Sequence, residues 1–304
     1  MSLLSQVTKG RIKLPHLIIV YGPDGVGKST FGASAQSAIF LGTENGTNHI
    51  ETASRLPAPK DYGMFLQALD ELAEAKHEFK TLVLDSADWL DKLVQRKVCE
   101  DKQVDYVEEV GGGYGKGTSL VNAKWKDEVF SRLNRLREVV GMNIIILAHS
   151  QVKQFKDPQQ LSDYNKHQLA LPDTTAALFR QYVDAVLFAN YEVFVKKEGG
   201  KARAFGDGAR VLFTEGRPGF DAKNRLDLPF QLPLSWEEFE RVLAEKEGDH
   251  PDTLIASIQS MLKELDGQSK IRANAEAKLK EFGTDPVKLK VLKNKVLAAI
   301  GAAA

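Results

Sequence analysis

Residues 17–29 read LIIVYGPDGVGKS, in which five apolar or aromatic residues precede a glycine-rich turn and a lysine-serine pair. The first five residues predict a buried strand, and the segment from Lys28 to about Ser37 predicts a helix. Residues 22–29 match the pattern G-x-x-x-x-G-K-[ST] between that strand and that helix, which is where a phosphate-binding loop has to lie. The stretch therefore predicts an α/β domain organised around one nucleotide site.

The residue types of this loop suit a bound triphosphate. Glycines let backbone N–H groups converge on the β-phosphate, and the start of a helix adds partial positive charge. We expect Lys28 to neutralise β- and γ-phosphate oxygens and the Ser29 hydroxyl to ligate Mg²⁺. ATP and Mg²⁺ are the cofactors that this pattern predicts. The predicted ATP-binding residues are Gly22, Pro23, Asp24, Gly25, Val26, Gly27, Lys28, Ser29 and Thr30.

Two further apolar runs end close to a carboxylate. The predicted strand 81–84 is followed by Asp85, at the strand end where an open parallel sheet binds its ligand, so Asp85 is predicted as the second magnesium ligand. The predicted strand 38–41 is followed by Glu44. A carboxylate at that position can polarise the water that attacks the γ-phosphate, which makes Glu44 the predicted general base. A solvated loop glutamate is the alternative.

The apolar run 143–148 ends before two polar side chains that could detect the γ-phosphate. These are His149 and Gln151. A purely structural histidine is the alternative for His149. The sequence leaves open which of the two side chains acts as the sensor.

The alternation of short apolar runs with segments of helical period predicts a mainly parallel twisted sheet flanked by helices. Two strands, at 183–195 and 202–214, are expected to form an antiparallel edge hairpin through Gly199 and Gly200. Helices are predicted at 62–76, 88–101, 120–140, 252–265, 269–282 and 286–300. The predicted domains are an ATPase core at 1–245, a charged, turn-rich linker at 246–251 and a small helical C-terminal region at 252–304.

Composition narrows the classes of protein and of partner. The 304 residues are 43% hydrophobic and 27% charged, and no apolar stretch is long enough for a bilayer, so a membrane protein is not expected. No secretion signal is found, and a cytoplasmic location is expected, in the host cell if the chain is phage-encoded. The formal net charge is zero, so contact with nucleic acid needs local basic patches. The single cysteine, Cys99, excludes an internal disulfide.

Together these features resemble the RecA-like ATPases, most closely the compact phage recombination proteins that consist of a RecA core, among them single-strand annealing proteins. The resemblance covers roughly the first 235 residues, and it implies a RecA-like P-loop core in which Glu44 activates water. The segments that carry the likeness are 22–30, 40–44, 82–86, 144–149 and 210–229.

Lys223-Asn224-Arg225 resembles the Lys-x-Arg finger of bacterial replicative helicases and of the RadA group. In those proteins both cations reach the γ-phosphate held by a neighbouring subunit, where they stabilise charge in the transition state. The resemblance implies a homo-oligomer, ring or filament, in which Lys223 and Arg225 act in trans. An exposed basic turn is the alternative.

Two segments combine aromatic and cationic side chains in a way that suits single-stranded DNA. The glycine-rich loop 111–117 contains Tyr114 and Lys116. The segment after Gln151 is polar and mixes rings with lysines. Mobile surface loops are the alternative for both segments. The candidate DNA-binding residues of the second segment are Lys153, Lys156, Tyr164 and Lys166.

The leading hypothesis is a DNA-stimulated ATPase that binds single-stranded DNA and promotes annealing or strand exchange as an oligomer. A single-strand DNA-binding protein is a further expected partner. The alternative is a RecA-like helicase or translocase motor. A small-molecule kinase is disfavoured because the sequence has no compact arginine cluster for a lid, and Glu44 argues against a non-catalytic adaptor.

Overall fold

The computed structural model describes residues 14–42, 49–51, 53–156, 163–192, 194–198, 201–205, 208–248, 251–264 and 269–301, together with Val7 and Thr47. The chain divides into two compact units, Met1–Glu238 and Phe239–Ala304. The division falls inside helix α7 (Trp236–Gly248), so helical structure continues into the segment 246–251 that the sequence predicted as a linker. The predicted domain boundaries remain predictions.

Within the described residues, ten strands form one sheet and two more form a separate hairpin. The strands are β1 (Leu17–Gly22), β2 (Ala38–Gly42), β3 (Ser54–Arg55), β4 (Thr81–Asp85), β5 (Asn143–Phe155), β6 (Tyr164–Leu169), β7 (Ala185–Tyr191), β8 (Phe194–Glu198), β9 (Lys201–Phe205), β10 (Arg210–Phe213), β11 (Lys223–Asn224) and β12 (Gln231–Pro233). The order across the sheet is β12-β10-β7-β1-β5-β4-β2-β3, with β11 on β7 and β6 on β5.

The centre of the sheet is parallel and its additions are antiparallel. Strand β1 pairs in parallel with both β5 and β7, and β4 lies between β5 and β2. Strands β10, β11 and β12 are antiparallel to their neighbours. Continuous apolar runs such as Leu17–Tyr21 suit this position because both faces of a parallel strand are covered. The predicted fold class, an α/β core with a mainly parallel sheet, antiparallel edge strands and C-terminal helices, is confirmed.

Helices cover both faces of the sheet. On one face, the side chains of several helices pack in a single core that includes Phe65, Trp125 and Phe179. These helices are α2 (Tyr62–Glu74), α3 (Ala87–Lys102), the helical stretch from Lys116 to Val140 and α6 (Asp173–Tyr182). Gly32 of α1 approaches Val83 on the other face. The helices of the first unit are α1 (Lys28–Ala33), α2 (Tyr62–Glu74), α3 (Ala87–Lys102), α4 (Lys116–Lys124), α5 (Ser131–Arg135) and α6 (Asp173–Tyr182).

Local sequence explains where several of these helices begin and end. The side chain of Asp61 accepts a hydrogen bond from the backbone N–H of Met64 at 2.8 Å, which caps α2 at its predicted start. The stretch Lys116–Val140 is continuous: a wider π turn at Trp125–Phe130 joins α4 to α5, and a second π turn at Leu136–Val140 follows α5. It starts four residues before the predicted Leu120, so Lys116 lies in a helix rather than in the glycine loop.

The β5–β6 hairpin and helix α6 were not predicted from the sequence. Strand β5 continues past the sheet to Phe155 and pairs with β6 in an antiparallel hairpin, where the sequence indicated only a polar segment. Helix α6 then leads into β7. The predicted segments 183–195 and 202–214 do pair in antiparallel fashion, through β7 and β10 inside the sheet and through β8 and β9 in a separate two-stranded sheet. Gly199 and Gly200, the predicted turn, lie outside the described residues.

The second unit contains the three predicted C-terminal helices, α8 (Pro251–Glu264), α9 (Ser269–Phe282) and α10 (Pro286–Gly301). Apolar residues at helical spacing, such as Leu254, Ile258 and Leu262 on α8, meet Leu289 and Leu292 of α10 in a small core of their own. The backbone N–H of Lys288 donates to the Asp285 side chain at 3.2 Å, which caps α10 next to Pro286.

Candidate functional site

The glycine-rich loop lies between the carboxyl end of β1 and the start of α1, as predicted. A Cβ on Gly22 would lie 2.1 Å from the carbonyl oxygen of Ala189, so only glycine lets β7 pass this close. Gly27 precedes α1 with φ at 108°, a value in the range that favours glycine. Two of the motif's glycines are therefore required by the backbone itself.

Lys28 is held inside this loop. Its side chain is buried, at 7% exposure, and its Nζ donates to the carbonyl oxygens of Gly22 at 2.9 Å and Pro23 at 3.0 Å. Burial of an ammonium group is costly unless acceptors surround it. The loop thus keeps a positive charge at the point where a triphosphate is expected.

Ser29 at the start of α1 and Asp85 at the end of β4, the two predicted magnesium ligands, come together. The Ser29 hydroxyl donates to Oδ2 of Asp85 at 2.9 Å, and Asp85 ends β4 with only 7% of its surface exposed. A hydroxyl and a carboxylate at this distance are oxygen ligands of the type that Mg²⁺ prefers, and phosphate oxygens and water would supply its remaining ligands. The described residues contain no cluster of three or more His, Cys, Asp or Glu side chains around a cation position. The residues present fit a magnesium ion that is held jointly with a nucleotide.

The predicted general base, Glu44, lies outside the described residues. Strand β2 ends at Gly42, which is in register with Asp85 of β4. Glu44 follows two residues later in the sequence. Its role stays a prediction.

His149 lies beside the loop, because β5 pairs with β1 in a register that puts His149 opposite Gly22. Its Nδ1 donates to Oδ2 of Asp88 at 2.8 Å, and its backbone N–H donates to Oδ1 at 3.1 Å. Its Nε2 lies 3.3 Å from Oδ1 of Asp24 in the loop. The ring is thus fixed by Asp88 on one side and faces the phosphate-binding loop on the other.

Asp88 is a site residue that the sequence did not reveal. Burial alone would raise the pKa of its carboxyl, but the hydrogen bonds from His149 outweigh burial and hold the pKa below its usual value. The sequence placed Asp88 at the start of a helix without a partner, because its partner is 61 residues away on another strand.

Gln151, the other sensor candidate, is occupied elsewhere. Its amide group donates to the carbonyl oxygens of Leu169 at 2.8 Å and Leu171 at 3.1 Å. These bonds tie the base of the β5–β6 hairpin to the chain that follows it. Of the two candidates, the geometry favours His149.

The predicted finger residues lie at the opposite end of the sheet from the loop. Lys223 pairs with Val186, near the amino end of β7, and its Nζ donates to the carbonyl oxygens of Arg180 at 2.5 Å and Val183 at 2.7 Å. Burial, followed by the nearby Arg225, lowers the pKa of the Lys223 ammonium. Within one chain Lys223 therefore caps the end of α6, and its predicted reach to a neighbouring subunit stays a prediction.

The predicted DNA-binding residues differ in their exposure and in the contacts that their side chains make. Tyr114 is 99% exposed, whereas the Nζ of Lys116 donates to the carbonyl oxygen of Gly111 at 2.9 Å. Their glycine-rich segment partly forms a 3₁₀ turn at Val107–Gly112.

On the hairpin, the Nζ of Lys153 lies 2.6 Å from Oδ1 of Asp173 in a pair that is largely exposed. Lys166 forms a more buried pair with Asp221 at 2.6 Å, and its Nζ lies 4.8 Å from the centre of the Phe155 ring. The Tyr164 ring packs against Phe155 with centroids 5.6 Å apart. Lys156 is exposed at the end of β5.

Two more residues near the loop were missed by the sequence. Tyr191 ends β7, and Arg210 begins β10 directly opposite it. The Tyr191 hydroxyl donates to the carbonyl oxygen of Gly25 at 3.4 Å, and a Cβ on Gly27 would lie 3.0 Å from Nη1 of Arg210. Only the register between β7 and β10 brings these side chains to the loop, so no local pattern could have indicated them.

The sequence model of the family described as AAA domain matches residues 15–226, more than half of the chain. Over 140 residues the chain is 28% identical to the SPbeta prophage-derived uncharacterized protein YorG of Bacillus subtilis (strain 168), a match that covers 44% of this chain and 41% of that protein. The chain thus spans about two fifths of the length of that relative.

Among solved structures, the flagellar accessory protein FlaH from Methanocaldococcus jannaschii is similar at 14% identity and a TM-score of 0.29, with 69% of this chain and 91% of that chain covered. Nothing about this chain follows from a likeness at that score. In the parts of the chain that the structure describes, no helix has the length and apolar character to cross a membrane.

Proposed function

The chain belongs to the AAA-domain family of P-loop ATPases, and on that premise we propose that it hydrolyses ATP with Mg²⁺ and uses the hydrolysis to act on single-stranded DNA. The observation that carries the ATPase proposal is the 2.9 Å hydrogen bond between Ser29 and Asp85 next to the buried Lys28. Magnesium chemistry needs a hydroxyl and a carboxylate to converge beside a cationic loop, and these three side chains do so.

Each site residue has a distinct task in this proposal. The Lys28 ammonium exchanges the carbonyl oxygens of its own loop for β- and γ-phosphate oxygens. Ser29 and Asp85 hold Mg²⁺, which supplies charge neutralisation on the phosphate oxygens when bound. Glu44 takes the proton of the attacking water, and Asp88 orients the imidazole of His149 toward the γ-phosphate.

Strand β5 links this site to the candidate DNA-binding hairpin. His149 faces the loop, and the same strand continues without a break into the hairpin arm Ser150–Phe155. A change at the γ-phosphate that moves His149 would therefore move the base of the hairpin. Lys153 and Lys156 supply cations on this arm, and the exposed Lys153–Asp173 pair is of the kind that contributes little free energy and is readily exchanged for a phosphate.

Assembly is the second part of the proposal. The partners of Lys223 lie at the amino ends of the strands, three to four residues from Gly22 in register, or roughly 10 Å at 3.3 Å per residue. The Lys223 ammonium is held by carbonyl oxygens at the end of α6, and Arg225 follows it two residues later beside Asp184, so we assign a γ-phosphate within reach of these cations to a neighbouring subunit. This supports a homo-oligomer with a shared site. The Bacillus subtilis relative is prophage-derived, in keeping with a chain encoded by a phage. Recombination of DNA in the host cytoplasm, by annealing or strand exchange, is the outcome that we propose.

The test is phosphate release by the purified chain, with and without Mg²⁺ and with and without single-stranded DNA. We expect turnover that requires Mg²⁺, rises with single-stranded DNA, and falls by about 100-fold or more in Asp85→Asn. Asp70→Asn, which removes a surface carboxylate paired with Arg132, is the matched control and should turn over like wild type. Turnover that is the same without Mg²⁺, or that is unchanged in Asp85→Asn, would refute the proposed site.

A translocase would share the same core and the same finger, so the DNA product separates the two functions. With complementary single strands we expect ATP-dependent annealing, and with a forked duplex we expect no displaced strand. Unwinding of the fork with a defined polarity would show a motor function instead of recombination. The proposal of ATP hydrolysis would be unaffected by that result.

A further inference from the structure

The order of the sheet assigns a different task to each side of the phosphate-binding loop. On one side of β1 lie β5 and β4, which carry His149 and the magnesium candidate Asp85. In the proposed function these residues mark the γ-phosphate end of the nucleotide. On the other side lie β7 and β10, which carry Tyr191 and Arg210. An extended triphosphate that starts between β1 and β4 has to direct its nucleoside toward β7 and β10.

Tyr191 and Arg210 form a cation–π pair on this nucleoside side. They are direct partners in the antiparallel register of β7 and β10, and the guanidinium carbon lies 6.0 Å from the centre of the tyrosine ring. The pair contacts the loop at two points, through the Tyr191 hydroxyl at Gly25 and through Nη1 of Arg210 beside Gly27. Both side chains are exposed, Tyr191 at 38%.

We propose that Arg210, supported by Tyr191, is the platform on which the base of ATP stacks, and that this pair makes the site select nucleotides over bare polyphosphate. This inference rests on the proposed function, since it assumes that the loop binds ATP. A planar guanidinium over an aromatic ring offers a flat cationic surface to a purine. Stacking of this kind needs only the π face of the base.

The experiment compares two ligands that differ only in the nucleoside. Mg-ATP and inorganic Mg-tripolyphosphate are titrated calorimetrically into wild-type protein and into Arg210→Ala and Tyr191→Ala. We expect each variant to bind ATP about 5- to 100-fold more weakly, the range for loss of one stacking partner, while its affinity for tripolyphosphate changes less than about twofold. Arg217→Ala is the matched control, since Arg217 also stacks on a ring, Phe230, but not at the loop.

Arg210→Lys keeps the positive charge and loses the plane, so it should bind ATP as weakly as Arg210→Ala. The thermal unfolding midpoint of each variant is measured alongside, and Arg210→Gln replaces any variant that does not fold. Equal loss for ATP and tripolyphosphate, or full affinity in Arg210→Lys, would overturn the platform in favour of a simple phosphate contact.

The wild-type titrations distinguish failure of this inference from failure of the proposed function. Equal affinity of wild-type protein for both ligands would contradict the stacking platform but would still agree with a phosphate site in the loop. Wild-type protein that binds neither ligand would overturn both proposals.

Discussion

Strand β5 is buried from Ile144 to Ala148 and only half-buried or exposed from His149 to Phe155. The buried half lies between β1 and β4, where it holds the phosphate-binding loop and Asp85 in register. From Ser150 onward the strand pairs with β6 alone, and the resulting hairpin presents lysines and aromatic rings. One strand thus joins a rigid nucleotide site to a hairpin whose side chains remain accessible, and variants of the two halves should fail in different assays.

The largest expected effect is at Lys28. Lys28→Ala removes the only charge held against the first two carbonyl groups of the loop among the described residues, so turnover should fall by about 1,000-fold or more. Phosphate release measures it, and Lys92→Ala, a lysine that lies over the Trp89 ring, is the matched control. Residual turnover near wild type would show that the loop is not the catalytic phosphate site.

Glu44→Gln, also a variant of the nucleotide site, should separate ATP hydrolysis from ATP binding. Loss of a general base costs roughly 100- to 10,000-fold in rate, whereas an amide of equal size leaves the binding site intact. We expect turnover to fall in that range while the affinity for Mg-ATP stays within about twofold. A variant that loses binding together with turnover would contradict a purely catalytic role for Glu44.

Arg225→Ala tests whether the site is shared between subunits. We expect turnover to fall on the order of 100-fold, because a cation that stabilises transition-state charge is removed, while nucleotide binding by the monomer is unchanged. Mixing Arg225→Ala with Lys28→Ala protein should restore part of the activity, since each supplies what the other lacks. No restoration, or wild-type turnover in Arg225→Ala, would argue against action in trans.

Variants of the hairpin should move DNA affinity instead. Lys153→Ala with Lys156→Ala removes two cations, so the slope of log affinity for single-stranded DNA against log salt should become shallower by about 1 to 1.5. Fluorescence anisotropy at several salt concentrations measures it. The double variant Lys60→Ala with Lys126→Ala removes two exposed lysines elsewhere and should leave the slope unchanged. Equal slopes in wild type and both double variants would show that the hairpin does not contact DNA.

The smallest expected effect is on the free energy of unfolding, through Asp88, which bonds His149 where the two halves of β5 meet. The pKa of Asp88 is held below its usual value, so its carboxylate contributes stability above about pH 4 that is lost as the pH falls through the lowered pKa. Asp88→Asn should cost about 1 kcal/mol at pH 7, with a difference from wild type that narrows toward pH 3. Urea unfolding at several pH values measures this, with Asp127→Asn as the control. A constant difference at all pH values would contradict the linkage.

Sequence reasoning succeeded where structure is local. The apolar runs of β1, β2, β4 and the first half of β5 and the loop between Gly22 and Ser29 are each encoded within a few residues, and the structure has them where they were predicted. Strand β6, with the polar sequence YNKHQL, has no such pattern, because its strand character comes from pairing with β5.

The missed site residues share one cause. Asp88 of α3 meets His149 of β5, and Arg210 of β10 meets Tyr191 of β7, only after these separate elements have packed together. The sequence could therefore identify the groups that we propose bind phosphate and metal. It could not identify the groups that orient a sensor or contact the far side of the loop, because nothing in their local spacing sets them apart.

Calorimetric titration of Mg-ATP into the purified chain tests the central claim most directly. The account predicts saturable binding of one nucleotide per chain that weakens when Mg²⁺ is chelated, because Ser29 and Asp85 then lose the ion that joins them to the phosphates. Absence of any binding heat at ATP concentrations in the millimolar range, from protein shown to be folded, would contradict it.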